Sequence, residues 1–142
     1  MQNATANTID LKTLKMAHSR TTKELLDMYY KGFAKKEGWE SVISDDFIFI
    51  ADNMEQGDIN NGKEAYVNII ARFSRLYQDM RVKRMIIDGD NASVIANYDY
   101  IFPNGKHISG DVAEFWTAKD GKLTSLHIYF DTLTFDKNTP KK

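Results

Sequence analysis

The chain has 142 residues, of which 42% are hydrophobic and 27% are charged, and its formal net charge is −1. This length is typical of one domain. The balanced charge argues against a nucleic-acid partner, because proteins that bind nucleic acid carry a basic excess. Cysteine is absent, which excludes disulfides, thiolate nucleophiles and zinc–thiolate sites.

No apolar run approaches the ~20 residues that a membrane-spanning helix requires. The first 17 residues also lack the apolar core of a signal peptide. We therefore expect no membrane association and predict a cytoplasmic protein. Residues 1–18 are predicted to be a flexible or loosely helical extension, residues 19–135 a single domain, and residues 136–142 a polar tail.

Two helices are predicted at the start of the domain. Thr21 and Glu24 have the spacing of a capping box, and apolar residues at helical intervals follow them up to Gly38. The segment Trp39–Ile43 is predicted to form a short second helix, because its apolar residues recur at intervals of three and four.

A strand, a loop and a long helix come next. The compact apolar run 47–51 predicts a strand, and the polar segment 52–61 predicts a loop. Asn61 and Glu64 have the spacing of a second capping box. The helix predicted after them carries one apolar stripe, which comprises Tyr66, Ile69, Ile70, Phe73, Leu76 and Tyr77.

After Asp79 the apolar period changes from 3.6 to 2, which predicts four strands over residues 81–88, 92–102, 111–117 and 123–132. Asp120-Gly121 is a strong hairpin turn signal between the last two strands. Helices gathered at one end of a chain and antiparallel strands at the other are typical of an α+β domain.

Four short motifs resemble those of the nuclear transport factor 2-like superfamily. They are Gly38-Trp39-Glu40-Ser41 leading to Asp45-Asp46-Phe47, Asn61-Gly62-Lys63-Glu64 before the long helix, Asp120-Gly121-Lys122 in the last hairpin, and Ile128-Tyr129-Phe130-Asp131-Thr132 at the end of the last strand. The resemblance covers about residues 20–135. It is closest to the SnoaL-like branch of polyketide cyclases and their relatives, and the ketosteroid isomerases belong to the same superfamily.

The resemblance implies a cystatin-like cone, in which a curved mixed or antiparallel sheet wraps around the N-terminal helices. It also implies an apolar conical pocket for a small ligand and a homodimer formed through the outer face of the sheet. The expected function is small-molecule binding, with isomerase, cyclase or dehydratase chemistry by proton transfer and without metal or cofactor. The alternative is a non-catalytic ligand-binding or protein-interaction module of the same fold.

Three catalytic roles follow from the resemblance to the isomerases, in which a base, a tyrosine and a protonated acid act together. The base corresponds to Asp52 and the tyrosine to Tyr30, with Tyr29 as its rival. The protonated acid corresponds to Glu114, a position where the isomerases have Asp, and the match requires a one-residue deletion in the turn at 117–120. Strand alternation independently places Glu114 between Val112 and Trp116 on one face, where burial would raise its pKa.

The register of the last strand decides which of its faces meets the pocket. The resemblance places Leu126, Ile128 and Phe130 in the pocket. The residues predicted to contact the ligand are Tyr98, Tyr100, Trp116, Leu126 and Phe130.

The other face of the last strand carries His127, Tyr129 and Asp131, which are then candidates for the dimer interface. In the opposite register, His127 would be a base and Asp131 its orienting partner. Metal coordination by His107, Asp111, Glu114 and His127 is not expected, since their spacing matches no usual ligand pattern.

Overall fold

The computed structural model describes residues 19–51 and 58–140. The predicted extension 1–18, the candidate base Asp52 and the last two residues of the predicted tail lie outside the described residues. The helices are α1 (Thr22–Lys35), a short 3-10 helix (Trp39–Val42), α2 (Lys63–Phe73) and α3 (Thr132–Asn138). The strands are β1 (Ile43–Ala51), β2 (Asp58–Asn61), β3 (Tyr77–Asp88), β4 (Asn91–Ile101), β5 (His107–Lys119) and β6 (Lys122–Tyr129).

The six strands form one curved, unclosed mixed sheet in the order β2-β1-β6-β5-β4-β3. Neighbouring strands are antiparallel except β1 and β6, which are parallel. Helices α1 and α2 lie against one face of this sheet, which we call the inner face, and the buried core lies between them. The predicted α+β class and the cone of helices and curved sheet are confirmed. None of the helices in the described part of the chain is long and apolar enough to span a bilayer.

Helix α1 begins as the sequence predicts and ends earlier. The side-chain oxygen of Thr21 accepts from the backbone N–H of Glu24 at 3.2 Å, and the Glu24 carboxylate accepts from the Thr21 N–H at 3.2 Å. The helix ends at Lys35 because Lys36 adopts a left-handed conformation with φ of 64°. The Lys36 ammonium group then donates to the backbone oxygens of Ser74 and Tyr77, which ties the end of α1 to the start of β3.

Helix α2 differs from its prediction at both ends. It begins after Gly62, whose φ is 99°, and no side chain caps it, so the predicted capping box at Asn61 is wrong. It ends at Phe73. Tyr77, predicted on the helical stripe, instead begins β3 and pairs with Tyr100 of β4. Cross-strand pairing therefore overrides a helical pattern that continues for one more turn.

The segments that follow β1 and β6 in the chain also differ from their predictions. β2 lies within the predicted loop 52–61, where four residues pair with the end of β1. β6 stops at Tyr129, short of the predicted Thr132. Asp131 caps α3 instead, because its carboxylate accepts from the Thr134 N–H at 3.0 Å. Helix α3 thus extends into the segment predicted as a polar tail.

Candidate functional site

A cavity of about 170 Å³ lies between α1, α2 and the inner face of the sheet. Its wall is almost entirely apolar, with side chains from α1, α2, β1, β4, β5 and β6 and from Phe135 of α3. Among the described residues, Glu114 is the one carboxylate on this wall. An apolar cavity with a few polar groups on its wall is the usual form of a small-molecule site.

Glu114 is held by hydrogen bonds to both of its oxygens. The Tyr30 hydroxyl donates to Oε1 at 2.5 Å, and the Tyr98 hydroxyl donates to Oε2 at 3.0 Å. The indole Nε1 of Trp116 in turn donates to the Tyr30 hydroxyl at 2.9 Å. Only 5% of Glu114 is exposed, so the carboxyl orientation is fixed by protein groups rather than by solvent.

Burial raises the pKa of the Glu114 carboxyl from 4.5 to about 7, and the hydrogen bonds from Tyr30 and Tyr98 oppose that rise. Desolvation disfavours the charged carboxylate, while donated hydrogen bonds favour it. The result is a carboxyl whose pKa lies near neutral pH. Such a group can give a proton to a bound molecule or take one from it.

Tyr30 and Glu114, both predicted from the resemblance, are hydrogen-bonded to each other. Glu114 lies on the cavity wall, whereas Tyr30 does not. The Tyr30 hydroxyl donates to Glu114 and accepts from Trp116, so its hydrogen-bonding groups are engaged within the protein. It lies behind Glu114, and Tyr29 takes the place on the cavity wall. The Tyr29 hydroxyl is 2.5 Å from that of Tyr66, another wall residue.

Four of the five predicted ligand contacts line the cavity, namely Tyr98, Tyr100, Leu126 and Phe130. Trp116 does not line it. The Trp116 ring packs against Tyr29 with centroids 4.6 Å apart. Its indole N–H donates to the Tyr30 hydroxyl, which in turn donates to Glu114. Sequence reasoning missed Phe135, because no helix or strand was predicted between the last strand, which was expected to end at 132, and the tail that begins at 136.

His127 and Tyr129 lie on the opposite, outer face of the sheet, where their rings stack with centroids 4.7 Å apart. The pairing of Glu114 with Ile128 and of Phe115 with His127 fixes this register. The alternative register, with His127 as a base in the pocket, is not the one observed. Among the described residues, no three His, Asp or Glu side chains are grouped as they would be to hold a metal ion.

The sequence matches the family model of the SnoaL-like domain over residues 26–126. Fold and site together define an α+β protein with a largely apolar cavity that contains one carboxyl group. The chain belongs to the SnoaL-like family. No match is found among curated proteins.

Solved structures share the fold at low sequence identity. A structure of TerC co-crystallised with polyporic acid aligns with a TM-score of 0.70 at 22% identity, over 82% of this chain and 96% of that chain. A protein from Jannaschia sp. CCS1, provisionally named a SnoaL-like polyketide cyclase, aligns with a TM-score of 0.70 at 17% identity, over 84% and 93%. An NTF2-like protein from Burkholderia thailandensis E264 gives 0.74 at 16% identity, over 86% and 99%.

Proposed function

We propose that this protein binds a small, largely apolar molecule of one or two rings in its cavity and exchanges a proton with it through Glu114. The observation that carries the proposal is the position of Glu114, a buried carboxyl with a pKa of about 7 on an otherwise apolar wall. A cavity of ~150 Å³ is known to accept benzene, and a cavity of about 170 Å³ is of that size.

The hydrogen bonds around Glu114 define which proton is available. Both carboxyl oxygens accept from tyrosines, and the Tyr30 hydroxyl also accepts from Trp116. The proton of the neutral acid is therefore the one that the protein leaves for the ligand. It can be donated to a ligand carbonyl, where a hydrogen bond in a water-poor site stabilises developing negative charge.

The proposed reaction class is isomerisation, cyclisation or dehydration by proton transfer. Family membership and the provisional name of the Jannaschia protein support this class. TerC was co-crystallised with polyporic acid, which supports a small-molecule ligand for this fold. Asp52 remains our proposed base, with Glu114 as the acid and Tyr30 as the residue that positions it.

A second candidate is a binding module without catalysis. It is favoured by two features of the described residues: Glu114 is the one carboxylate on the cavity wall, and Tyr30 is engaged with Glu114 and Trp116. An isomerase needs a base as well as an acid, so the two candidates differ in whether a carbon-bound proton is exchanged.

We propose that the protein forms a homodimer through the outer face of the sheet. Large apolar side chains are exposed there, with Ile86 55%, Phe115 44% and Tyr129 45% exposed. His127 lies among them and lines a shallow depression that also contains Ile86 and Phe115. Contiguous exposed apolar surface of this kind marks interaction sites.

The test uses 2-tetralone, an apolar two-ring ketone, and tetralin, which lacks the carbonyl. Both should bind the wild-type protein, and the ketone should bind about fivefold more tightly, as one net hydrogen bond predicts. In D2O the wild type should accelerate deuterium uptake at the carbon next to the carbonyl. NMR spectroscopy measures both the binding affinity and the rate of deuterium uptake.

Glu114→Gln is the matched variant, since it keeps the shape of the side chain and cannot exchange the proton. It should retain binding and lose the accelerated deuterium uptake. Binding without any accelerated uptake by the wild type would favour the binding module. If neither probe binds the wild type, the small-molecule function is wrong.

A further inference from the structure

Tyr100 has a buried hydroxyl with no hydrogen-bond partner among residues 19–51 and 58–140, and only 3% of the residue is exposed. In each of the five other buried tyrosines of the described chain, the hydroxyl has a hydrogen-bond partner. These partners are Tyr66 for Tyr29, Glu114 for Tyr30 and Tyr98, Tyr29 for Tyr66 and the Phe33 carbonyl for Tyr77. Buried hydroxyls are normally hydrogen-bonded, so this exception requires an explanation.

The rings around Tyr100 do not supply the missing partner. Tyr98 stacks on it with centroids 5.7 Å apart, and Phe135 meets it edge-on at 5.1 Å. Phe102 and Phe73 are its other ring neighbours, at 5.6 Å and 6.0 Å. Phenylalanine rings offer no hydrogen-bonding group of their own, and the Tyr98 hydroxyl, which donates to Glu114, makes no hydrogen bond to the Tyr100 hydroxyl.

Tyr100 stands between two cavities. It lines the main cavity and also an adjoining pocket of about 170 Å³ beside α3. Phe130 and Phe135 are wall residues of both. Tyr100 therefore lies where the cavity that contains Glu114 adjoins the pocket beside α3.

Gly110 is a second feature that affects the position of the Tyr100 ring. It lies within β5, where glycine weakens a strand and often marks a close approach. A Cβ built on Gly110 would lie 3.3 Å from Cε2 of Tyr100, a tight contact. The absence of a side chain at Gly110 thus leaves room for the aromatic ring.

We propose that the Tyr100 hydroxyl binds a second oxygen of the ligand, so that the cavity selects ring compounds with two oxygen functions. One oxygen, a carbonyl, meets Glu114, and the other, a phenolic hydroxyl or a second carbonyl, meets Tyr100 at the end toward α3. A tyrosine hydroxyl both donates and accepts, so either oxygen type satisfies it. This inference rests on the proposed small-molecule function and adds the substrate class.

The test compares 2-tetralone with its 6-hydroxy and 7-hydroxy derivatives, using the wild type and Tyr100→Phe. The wild type should bind the better hydroxy isomer about five- to tenfold more tightly than 2-tetralone. In Tyr100→Phe this preference should disappear, so that the hydroxy isomers and 2-tetralone bind the variant with equal affinity. The melting temperature of Tyr100→Phe should equal or exceed that of the wild type, because the variant removes a buried polar group without a partner.

Tyr77→Phe is the matched control, since the Tyr77 hydroxyl donates to the Phe33 carbonyl at 2.8 Å and Tyr77 is not a wall residue of the cavity. It should lower the melting temperature and keep the preference for the hydroxy isomer. The inference would be overturned if the wild type bound all three probes with equal affinity, or if the preference survived in Tyr100→Phe. Either result would leave the proposed function intact. Failure of every probe to bind the wild type would overturn the proposed function with it.

Discussion

At Glu114, burial and hydrogen bonding act on one carboxyl in opposite directions. Burial raises its pKa, and the hydroxyls of Tyr30 and Tyr98 lower it, with about 7 as the outcome. The folded protein therefore holds the proton up to about pH 7, whereas an ordinary carboxyl releases it near 4.5. The proton stabilises the fold fully below pH 4.5, and this contribution is lost as the pH rises to 7 and above.

The free energy of unfolding of the wild type should accordingly fall between pH 4.5 and 7.5, relative to Glu114→Gln, by about 3 kcal/mol. The variant carries no titrating group at this position, so the difference between the two proteins isolates Glu114. Urea unfolding at a series of pH values measures it. A difference that does not change with pH would show that the carboxyl titrates alike in the folded and unfolded states.

At the scale of helices and strands, local patterns in the sequence predict most of the fold. The capping box of Thr21 and Glu24 begins α1, and Asp120-Gly121 makes the last hairpin turn with φ of 52° and 76°. Alternation predicts which face of β4 and β5 is buried. These features depend on neighbours within a few residues, which a sequence shows directly.

The elements that the sequence misses are defined by distant partners. β2 is a polar edge strand, recognisable only through its pairing with β1. The last turn predicted for α2 is taken by β3, because Tyr77 pairs with Tyr100. Close packing at Gly32 is equally invisible, since a Cβ there would lie 2.7 Å from the backbone of Glu37 and Trp39.

The candidate site is partly predictable for the same reasons. Strand alternation places Glu114 and Tyr98 on the inner face, and the family resemblance adds Tyr30. That Tyr30 donates to Glu114 rather than facing the cavity depends on how α1 packs against the sheet, which no local pattern encodes. The isolated hydroxyl of Tyr100 follows from its whole aromatic surroundings.

In the whole molecule, the curved sheet separates two surfaces of different character. Its inner face, with α1 and α2, encloses the cavity and the Glu114 network. Its outer face exposes apolar side chains such as Ile86 and Phe115. A second copy on the outer face would cover these side chains and would not contact the cavity on the inner face.

The dimer can be tested with Phe115→Glu, which places a charge in the centre of the exposed apolar surface. Because a buried unpaired charge is costly, the variant should be monomeric at concentrations where the wild type is dimeric. Light scattering coupled to size-exclusion chromatography measures the mass of each. Leu133→Glu is the control, since Leu133 is 60% exposed but lies on α3, and this variant should remain dimeric. A monomeric wild type would contradict the dimer.

The direct titration of Glu114 tests the central claim, that the cavity holds a carboxylic acid able to exchange its proton near neutral pH. The protein is labelled with glutamate carrying 13C at its side-chain carboxyl, and the Glu114 resonance is assigned by its loss in Glu114→Gln. We predict a midpoint of about 7, which rises further when 2-tetralone is bound because the ligand carbonyl accepts from the neutral acid. A midpoint near 4.5, the ordinary value, or one that 2-tetralone leaves unchanged, would contradict the claim.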